Sequence, residues 1–271
     1  MRTLYISDLD GTLLRGNRTL SSFTCEAIRA LTARGVLFSY ATARSLYTAT
    51  TVTGGLTTSL PVVLHNGVFT VQPETGHILR SCAFSAEDVA TIRTAADHLG
   101  VTPIVYTMTE AGERYSLMPE RLTEGGRAYL AMHEGDPRGR VTDSAEALWQ
   151  GHALFNILCI DSEEKLSALY GQFRHTYRCV YQREMYSGYW WLEIFPRCAT
   201  KADGVLDLKQ RLACDRLVCF GDGVNDLPLF AVADECYAVA NAEQEVKAAA
   251  TAVIGSNEED GVTRWLLAHA L

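Results

Sequence analysis

The sequence predicts an α/β fold with a parallel-sheet core and an inserted module of α+β character. Three observations point there. Short apolar runs alternate with helix-period segments at both ends of the chain, the rhythm of strand–helix–strand crossovers. That rhythm breaks between about residues 82 and 188. Core strands at both ends of the chain lead directly into acidic or hydroxyl residues, and open α/β sheets bind ligands at the carboxyl ends of their strands.

Taken in order, residues 3–7 read as a buried strand. A helix is expected over 21–34, with Ala27, Ile28 and Leu31 on one face and Gly35 as its stop. Residues 36–41 and 61–65 are the second and third strands. Residues 68–71 and 77–80, joined through Pro73-Glu74-Thr75-Gly76, form a hairpin. The inserted segment begins with a helix start at Ser85-Ala86-Glu87-Asp88 that leads into Val89, Ile92, Ala96 and Leu99. Strands are expected over 101–106, 153–160 and 177–182 and a helix over 161–173, while 120–149 is too polar and Gly-rich to assign. The parallel rhythm returns with a strand over 191–195 and a helix over 201–211. Strands at 216–221, 236–239 and 251–254 follow, with helices at 226–232, 243–249 and 261–270. The reading is a Rossmann-like core of residues 1–82 and 189–271 with an α+β cap domain of residues 83–188, hinged near 81–84 and 187–189.

Composition narrows the function. The chain has 271 residues, 48% hydrophobic and 21% charged, enough for a substantial core. Its formal net charge of −8 argues against a nucleic-acid partner. No apolar run approaches a membrane span, no export signal is evident and no protein partner is implied, so a cytoplasmic location is expected. The eight cysteines form no Cys-x-x-Cys pair and read as buried reduced thiols; the seven histidines show no metal-ligand spacing.

The chemistry converges on strand ends. Leu4-Tyr5-Ile6-Ser7-Asp8-Leu9-Asp10-Gly11-Thr12 sets two carboxylates at the sheet edge, with Gly11 for the turn. Carboxylates this close call for a cation or a shared proton. The second strand ends at Thr42, followed by Ala43 and Arg44, and a later one at Asp222, followed by Gly223-Val224-Asn225-Asp226. Lys201 opens a helix between them. A nucleophile, a hydroxyl donor, a cation and metal-binding carboxylates are the parts phosphoryl transfer needs. Each has a plainer reading: an Asx turn or calcium loop at Asp8, a helix N-cap at Thr42, a solvated lysine at 201.

Asp8-x-Asp10-Gly-Thr12, Thr42, Lys201 and Gly221-Asp222-Gly223-x-Asn225-Asp226, in that order, resemble the four motifs of the haloacid dehalogenase (HAD) phosphatase superfamily. The insertion between the second and third motifs is similar to that of the Cof-type subfamily with a large α/β cap, class IIB. Asn66-Gly67 and Ala240-Asn241-Ala242 also resemble features of that subfamily. The resemblance implies a Mg2+-dependent phosphatase acting on small-molecule phosphate esters, sugar phosphates first. It makes Asp8 the nucleophile that forms an aspartyl-phosphate and Asp10 the general acid/base, starting protonated. Thr42, Ala43, Arg44, Lys201 and Asn225 bind phosphate. Asp8, the Asp10 backbone carbonyl, Asp222 and Asp226 hold the metal, Asn225 and Asp226 being exchangeable in support of metal or phosphate. Alternatives are a phosphomutase of the same superfamily and a non-catalytic phospho-aspartate sensor. Arg44 and Glu193 read equally as substrate contacts or structural ion pairs, and Arg114, Tyr115 and His152 are cap candidates. The aromatic run Tyr186-Ser187-Gly188-Tyr189-Trp190-Trp191 reads as packing and hinge anchoring. Ala43 and Ala202 stand where the family has glycine. If a positive φ were essential at Ala43, that residue would be strained.

Overall fold

β1 (Thr3–Ser7) is apolar on both faces and buried from Leu4 onward, so it takes a central place in a parallel sheet. In the computed structural model, which describes residues 1–270 except 55, 57, 58, 111, 152 and 184–188, β1 is followed by α1 (Ser22–Ala33). Ser21 caps α1, which buries Ala27, Ile28 and Leu31. β2 (Leu37–Tyr40) then pairs parallel with β1. After α2 (Leu46–Val52), β3 (Val62–Leu64) joins β2 through a parallel bridge between Ala41 and Val63. β4 (Phe69–Val71) and β5 (Ile78–Ser81) extend β3 as an antiparallel hairpin.

The chain then builds a second compact unit, Cys82–Arg197. Its first helix, α3 (Ala86–His98), starts on a capping box between Ser85 and Asp88. The elements that follow are β6 (Ile104–Thr109), β7 (Gly112–Leu117), α4 (Glu124–Met132), β8 (Gly139–Val141), α5 (Ala145–Leu148), β9 (Ala153–Asp161), α6 (Glu163–Phe173), β10 (Arg178–Arg183) and β11 (Trp190–Phe195). The sheet order is β10-β11-β9-β6-β7-β8. Val105, Ile157, Cys159, Leu192 and Ile194 of its strands pack with Ile92 and Ala96 of α3 and Leu166, Leu169 and Phe173 of α6. Thus alternate strand residues make one apolar face. The strand expected over 101–106 sits further along at Ile104–Thr109, and β7 had no sequence counterpart.

Returning to the first unit, Met1–Ser81 with Cys198–Leu271, the chain forms α7 (Lys201–Arg211), β12 (Arg216–Gly221), α8 (Leu227–Phe230), β13 (Glu235–Val239), α9 (Gln244–Ala249), β14 (Ala252–Ile254) and α10 (Gly261–His269). The five-stranded sheet runs β14-β13-β12-β1-β2, every pairing parallel. Asp8 and Asp222, which follow β1 and β12, therefore emerge side by side.

Two expectations need correction. The strand assigned to the core over 191–195 belongs to the second unit, so residues 189–197 leave the core. β11 pairs antiparallel with β9 and β10, Leu192 opposite Cys159 and Glu193 opposite Val180. Its alternation of buried Leu192 and Ile194 with half-buried Trp191 and Glu193 is that of a strand with one apolar face, not of a strand buried on both. The cysteines are not all reduced either. Cys25, Cys159, Cys179, Cys214, Cys219 and Cys236 are free, whereas Cys82 and Cys198 are disulfide-bonded. No helix among the described residues is long and apolar enough to cross a membrane.

Asp260 ties the C-terminal helix to the N-terminal segment. Its left-handed backbone (φ 55) precedes α10, and its carboxylate accepts from Arg15 Nη2 at 2.8 Å, Ser21 Oγ at 2.7 Å and Thr24 Oγ1 at 3.2 Å. Burial alone would raise this carboxyl, but the hydrogen bonds from Ser21 and Arg15 hold it below the usual aspartate range. A depressed carboxyl stabilises the fold above its unfolded value and loses that contribution as pH falls toward the folded one. Asp260→Asn is therefore expected to cost about 2 kcal/mol at neutral pH. In thermal unfolding its Tm gap to wild type narrows below about pH 4; a gap constant with pH contradicts the assignment.

Candidate active site

β1 continues past Ser7 by one hydrogen bond, Asp8 N–H to the Phe220 carbonyl at 2.9 Å, then breaks into a turn over Leu9–Leu13 closed by Leu14 N–H on the Leu9 carbonyl. Asp8 is buried, and its Oδ1 accepts from Leu9 N–H at 2.7 Å. Gly11 makes the turn possible twice over. It is left-handed at φ 73, and a Cβ there would lie 2.2 Å from Asp222 Oδ2. Thr12 Oγ1 donates to Asp222 Oδ1 at 2.6 Å, so the first motif orients a carboxylate 210 residues away.

Lys201, the first residue of α7, is 1% exposed. Its Nζ lies 2.9 Å from Asp8 Oδ1 and 2.7 Å from Asp226 Oδ1. The other oxygen of Asp226 accepts from the Asp222 and Gly223 N–H groups at 3.0 and 3.3 Å. Asp226 thus braces both the loop and the lysine. Burial drives the Asp8 carboxyl up to about 7, against the pull of Lys201 and helped by Asp226. Burial likewise raises Asp222. It would lower Lys201, but the two carboxylates outweigh it and the ammonium is held above its ordinary value.

Asp8, Asp222 and Asp226 each offer a carboxylate oxygen within 4.8 Å of one another. An all-oxygen donor set suits a hard divalent cation. The Asp10 carboxylate lies outside this group. Arg44 grips it from two sides, Nε to Oδ2 at 2.7 Å and Nη2 to Oδ1 at 2.5 Å. Of the two readings of Arg44, the ion pair is the one observed.

Thr42 is fully buried, and its Oγ1 accepts from Arg44 N–H at 3.2 Å, leaving the hydroxyl proton to donate. It is not the helix cap; Ser45 caps α2. Ala43 has no positive φ, so it carries no strain where the family has glycine. Asn225 Nδ2 donates to Asn66 Oδ1 at 3.1 Å. The structure therefore gathers Asp8, Lys201, Asp222 and Asp226, and separately pairs Arg44 with Asp10 and Asn225 with Asn66.

Several contributors had no assigned role in the sequence. Besides Thr12, Asn241 donates to the Gly11 carbonyl at 2.7 Å and accepts from Asn257 N–H at 3.0 Å. Glu243 accepts from Val224 N–H at 3.3 Å. Thr12 and Asn241 lie inside the motif strings, which was the available signal. In the second unit, Tyr115 is buried, Arg114 donates to the Glu113 carbonyl at 2.8 Å, and Glu193 accepts from Asn156 at 3.0 Å. Trp190 stacks on Tyr181 at 4.8 Å. His152, residues 186–188 and part of the second expected hinge lie outside the described residues.

A family model described as haloacid dehalogenase-like hydrolase matches residues 5–266. The chain is 25% identical over 268 residues to the 5-amino-6-(5-phospho-D-ribitylamino)uracil phosphatase YitU of Bacillus subtilis, covering 96% of this chain and 94% of that protein. A crystal structure from Thermotoga maritima superposes with a TM-score of 0.80 at 24% identity, over 100% of this chain and 98% of that one. A HAD subclass IIB sugar phosphatase does so with a TM-score of 0.72 at 20% identity, over 99% and 98%.

Replacing Lys201 tests the buried cluster. Lys201→Met strands two buried carboxylates and is expected to cost about 3–5 kcal/mol of stability. The deficit is largest at neutral and higher pH. It shrinks on acidification, because an unpaired buried carboxyl folds best protonated. Urea unfolding across a pH series checks this; a small, pH-independent loss contradicts it.

Proposed function

The chain belongs to the haloacid dehalogenase-like hydrolases and is a phosphatase, and from that premise we propose a magnesium-dependent phosphomonoesterase that works through an aspartyl-phosphate on Asp8. One observation carries the reading: Asp8, Lys201, Asp222 and Asp226 meet at one sheet edge although they come from opposite ends of the chain.

Asp8 Oδ1 is held by Lys201 and Leu9 N–H, which leaves Oδ2 to attack phosphorus. The Oδ2–P bond forms as the P–O bond to the leaving group breaks, and Asp10, which takes a proton from solvent once Arg44 releases it, passes that proton to the leaving oxygen. In the second half-reaction Asp10 takes a proton from water, the water oxygen bonds to phosphorus, and the Asp8–phosphorus bond breaks to release phosphate. Both oxygens of Asp10 are gripped by Arg44, so that pair opens for each transfer. Thr42 donates to a phosphoryl oxygen, and Lys201 offsets charge shared between Asp8 and the phosphoryl group.

Asp8, Asp222 and the Asp10 backbone carbonyl would hold the magnesium. Asp226 keeps its oxygens for Lys201 and the loop backbone, and so supports the site from behind. When bound, the metal neutralises the carboxylates and draws charge from the phosphoryl oxygens. The substrate class we infer is a small sugar or sugar-alcohol phosphate. The named activity of the Bacillus subtilis relative and the subclass IIB sugar phosphatase with the same fold support that choice. Selectivity within the class is assigned to the inserted unit.

A phosphate-release screen over metabolite monoesters with magnesium tests the proposal. Asp8→Asn is expected to lose about four to six orders of magnitude in turnover on any hit, the scale of losing a catalytic nucleophile. Chelation abolishes wild-type release and added magnesium restores it. An Asp8→Asn protein that turns over near the wild-type rate overturns the mechanism.

A further inference from the structure

The turn after β3 holds the single run of consecutive left-handed residues among those described: His65 (φ 49), Asn66 (φ 54) and Gly67 (φ 99). Backbone in this region is unfavourable for residues other than glycine and persists where surrounding contacts over-determine it. Here the contacts reach three of the segments that carry the chemistry. His65 N–H donates to the Arg44 carbonyl at 3.0 Å, and Asn66 N–H to the Thr42 carbonyl at 2.9 Å. Gly67 lies flat on the residue before Lys201, and a Cβ at Gly67 would fall 1.8 Å from the Thr200 carbonyl oxygen. Gly204, one turn into α7, is similarly tight, a Cβ there lying 2.6 Å from Val63. Arg80 Nη1 holds the Gly67 carbonyl from the far side. The third segment is reached by the Asn66 side chain, whose Oδ1 accepts from Asn225 Nδ2 at 3.1 Å across 159 residues of sequence.

We infer that Asn66 is a positioning residue of the phosphate site: its side chain fixes the amide of Asn225, and the left-handed turn beneath it sets the spacing of the Thr42, Lys201 and Asn225 segments. The inference rests on the phosphatase reading. With one N–H committed to Asn66, the Asn225 amide keeps one rotamer and presents its remaining groups in one direction. Asparagine suits the position because it accepts the bond and tolerates left-handed backbone better than most residues.

A double-mutant cycle separates the side chain from the backbone. Asn66→Gly keeps the left-handed conformation and deletes the amide. It is expected to fold with a Tm close to wild type, and to raise KM for p-nitrophenyl phosphate and Ki for inorganic phosphate together by about five- to tenfold, the scale of one lost hydrogen bond, with little change in kcat. Asn225→Ala raises Ki, and adding Asn66→Gly to it raises Ki no further. An Asn66→Gly protein with wild-type Ki, or single effects that multiply in the double mutant, overturns the inference. Asn66→Asp keeps the accepting oxygen and the left-handed tolerance, so Asn225→Ala raises Ki in that background by the wild-type factor. This arm decides the matter if Asn66→Gly does not fold, and loss of the Asn225→Ala effect in it is a refutation. Asp8→Asn run in parallel keeps the two readings apart. An active Asp8→Asn sinks the aspartyl-phosphate mechanism, whereas an inactive Asp8→Asn beside an unaltered Asn66→Gly sinks only the role of Asn66.

Discussion

A lysine ammonium buried to 1% exposure between two carboxylates is the constraint on which the first unit is organised. A charge in that position is tolerated only when paired and hydrogen-bonded on every side. Its partners come from the first strand and from the loop after β12, so the pairing requires the parallel register that sets Ser7 beside Phe220. Asp226 closes the arrangement by turning its second oxygen onto the backbone of its own loop. The result is a rigid, electrostatically loaded edge in which Asp8 has one oxygen bound and one available.

The same edge is packed closely at the backbone. Gly11 admits Asp222, and Gly67 admits the carbonyl of Thr200. These positions leave no space for a methyl group, and both need left-handed φ. Side-chain hydrogen bonds then lock the loops laterally: Thr12 on Asp222, Asn241 on Gly11, and Asn66 on Asn225. Preorganisation of this kind is what electrostatic catalysis of phosphoryl transfer requires, since donors already in place need no rearrangement when charge moves.

The second unit uses different means. Its sheet is largely antiparallel, with α3 and α6 packed on one face and α4 packed against Ile160 of β9. Tyr106 and Tyr129 meet through their hydroxyls, and Arg138 is held by Glu113 and Asp136 at 2.7 and 2.6 Å. Polar groups this well buried stay only where they find partners, and Arg138 accordingly bridges β7 to the segment before β8.

The linear order of residues by itself determined the parallel core, most of its elements and the acids at its edge. Those follow from short-range periodicity: buried parallel strands are continuous apolar runs, and whatever follows such a strand lands at its carboxyl end. The motif order also carried the identity of the buried lysine, which alone reads as a solvated one. Only the tertiary structure decided which side chains each acid touches. It shows Asp226 holding Lys201 with one oxygen and its own loop backbone with the other, and Arg44 paired with Asp10. Strand β11 was misplaced because it stands near the third motif in sequence, while its alternation belongs to the antiparallel sheet. The roles of Thr12, Asn66 and Asn241 were illegible for a related reason. Each acts through a hydrogen bond spanning more than half the chain, and such bonds depend on the register of distant strands, which no local pattern encodes.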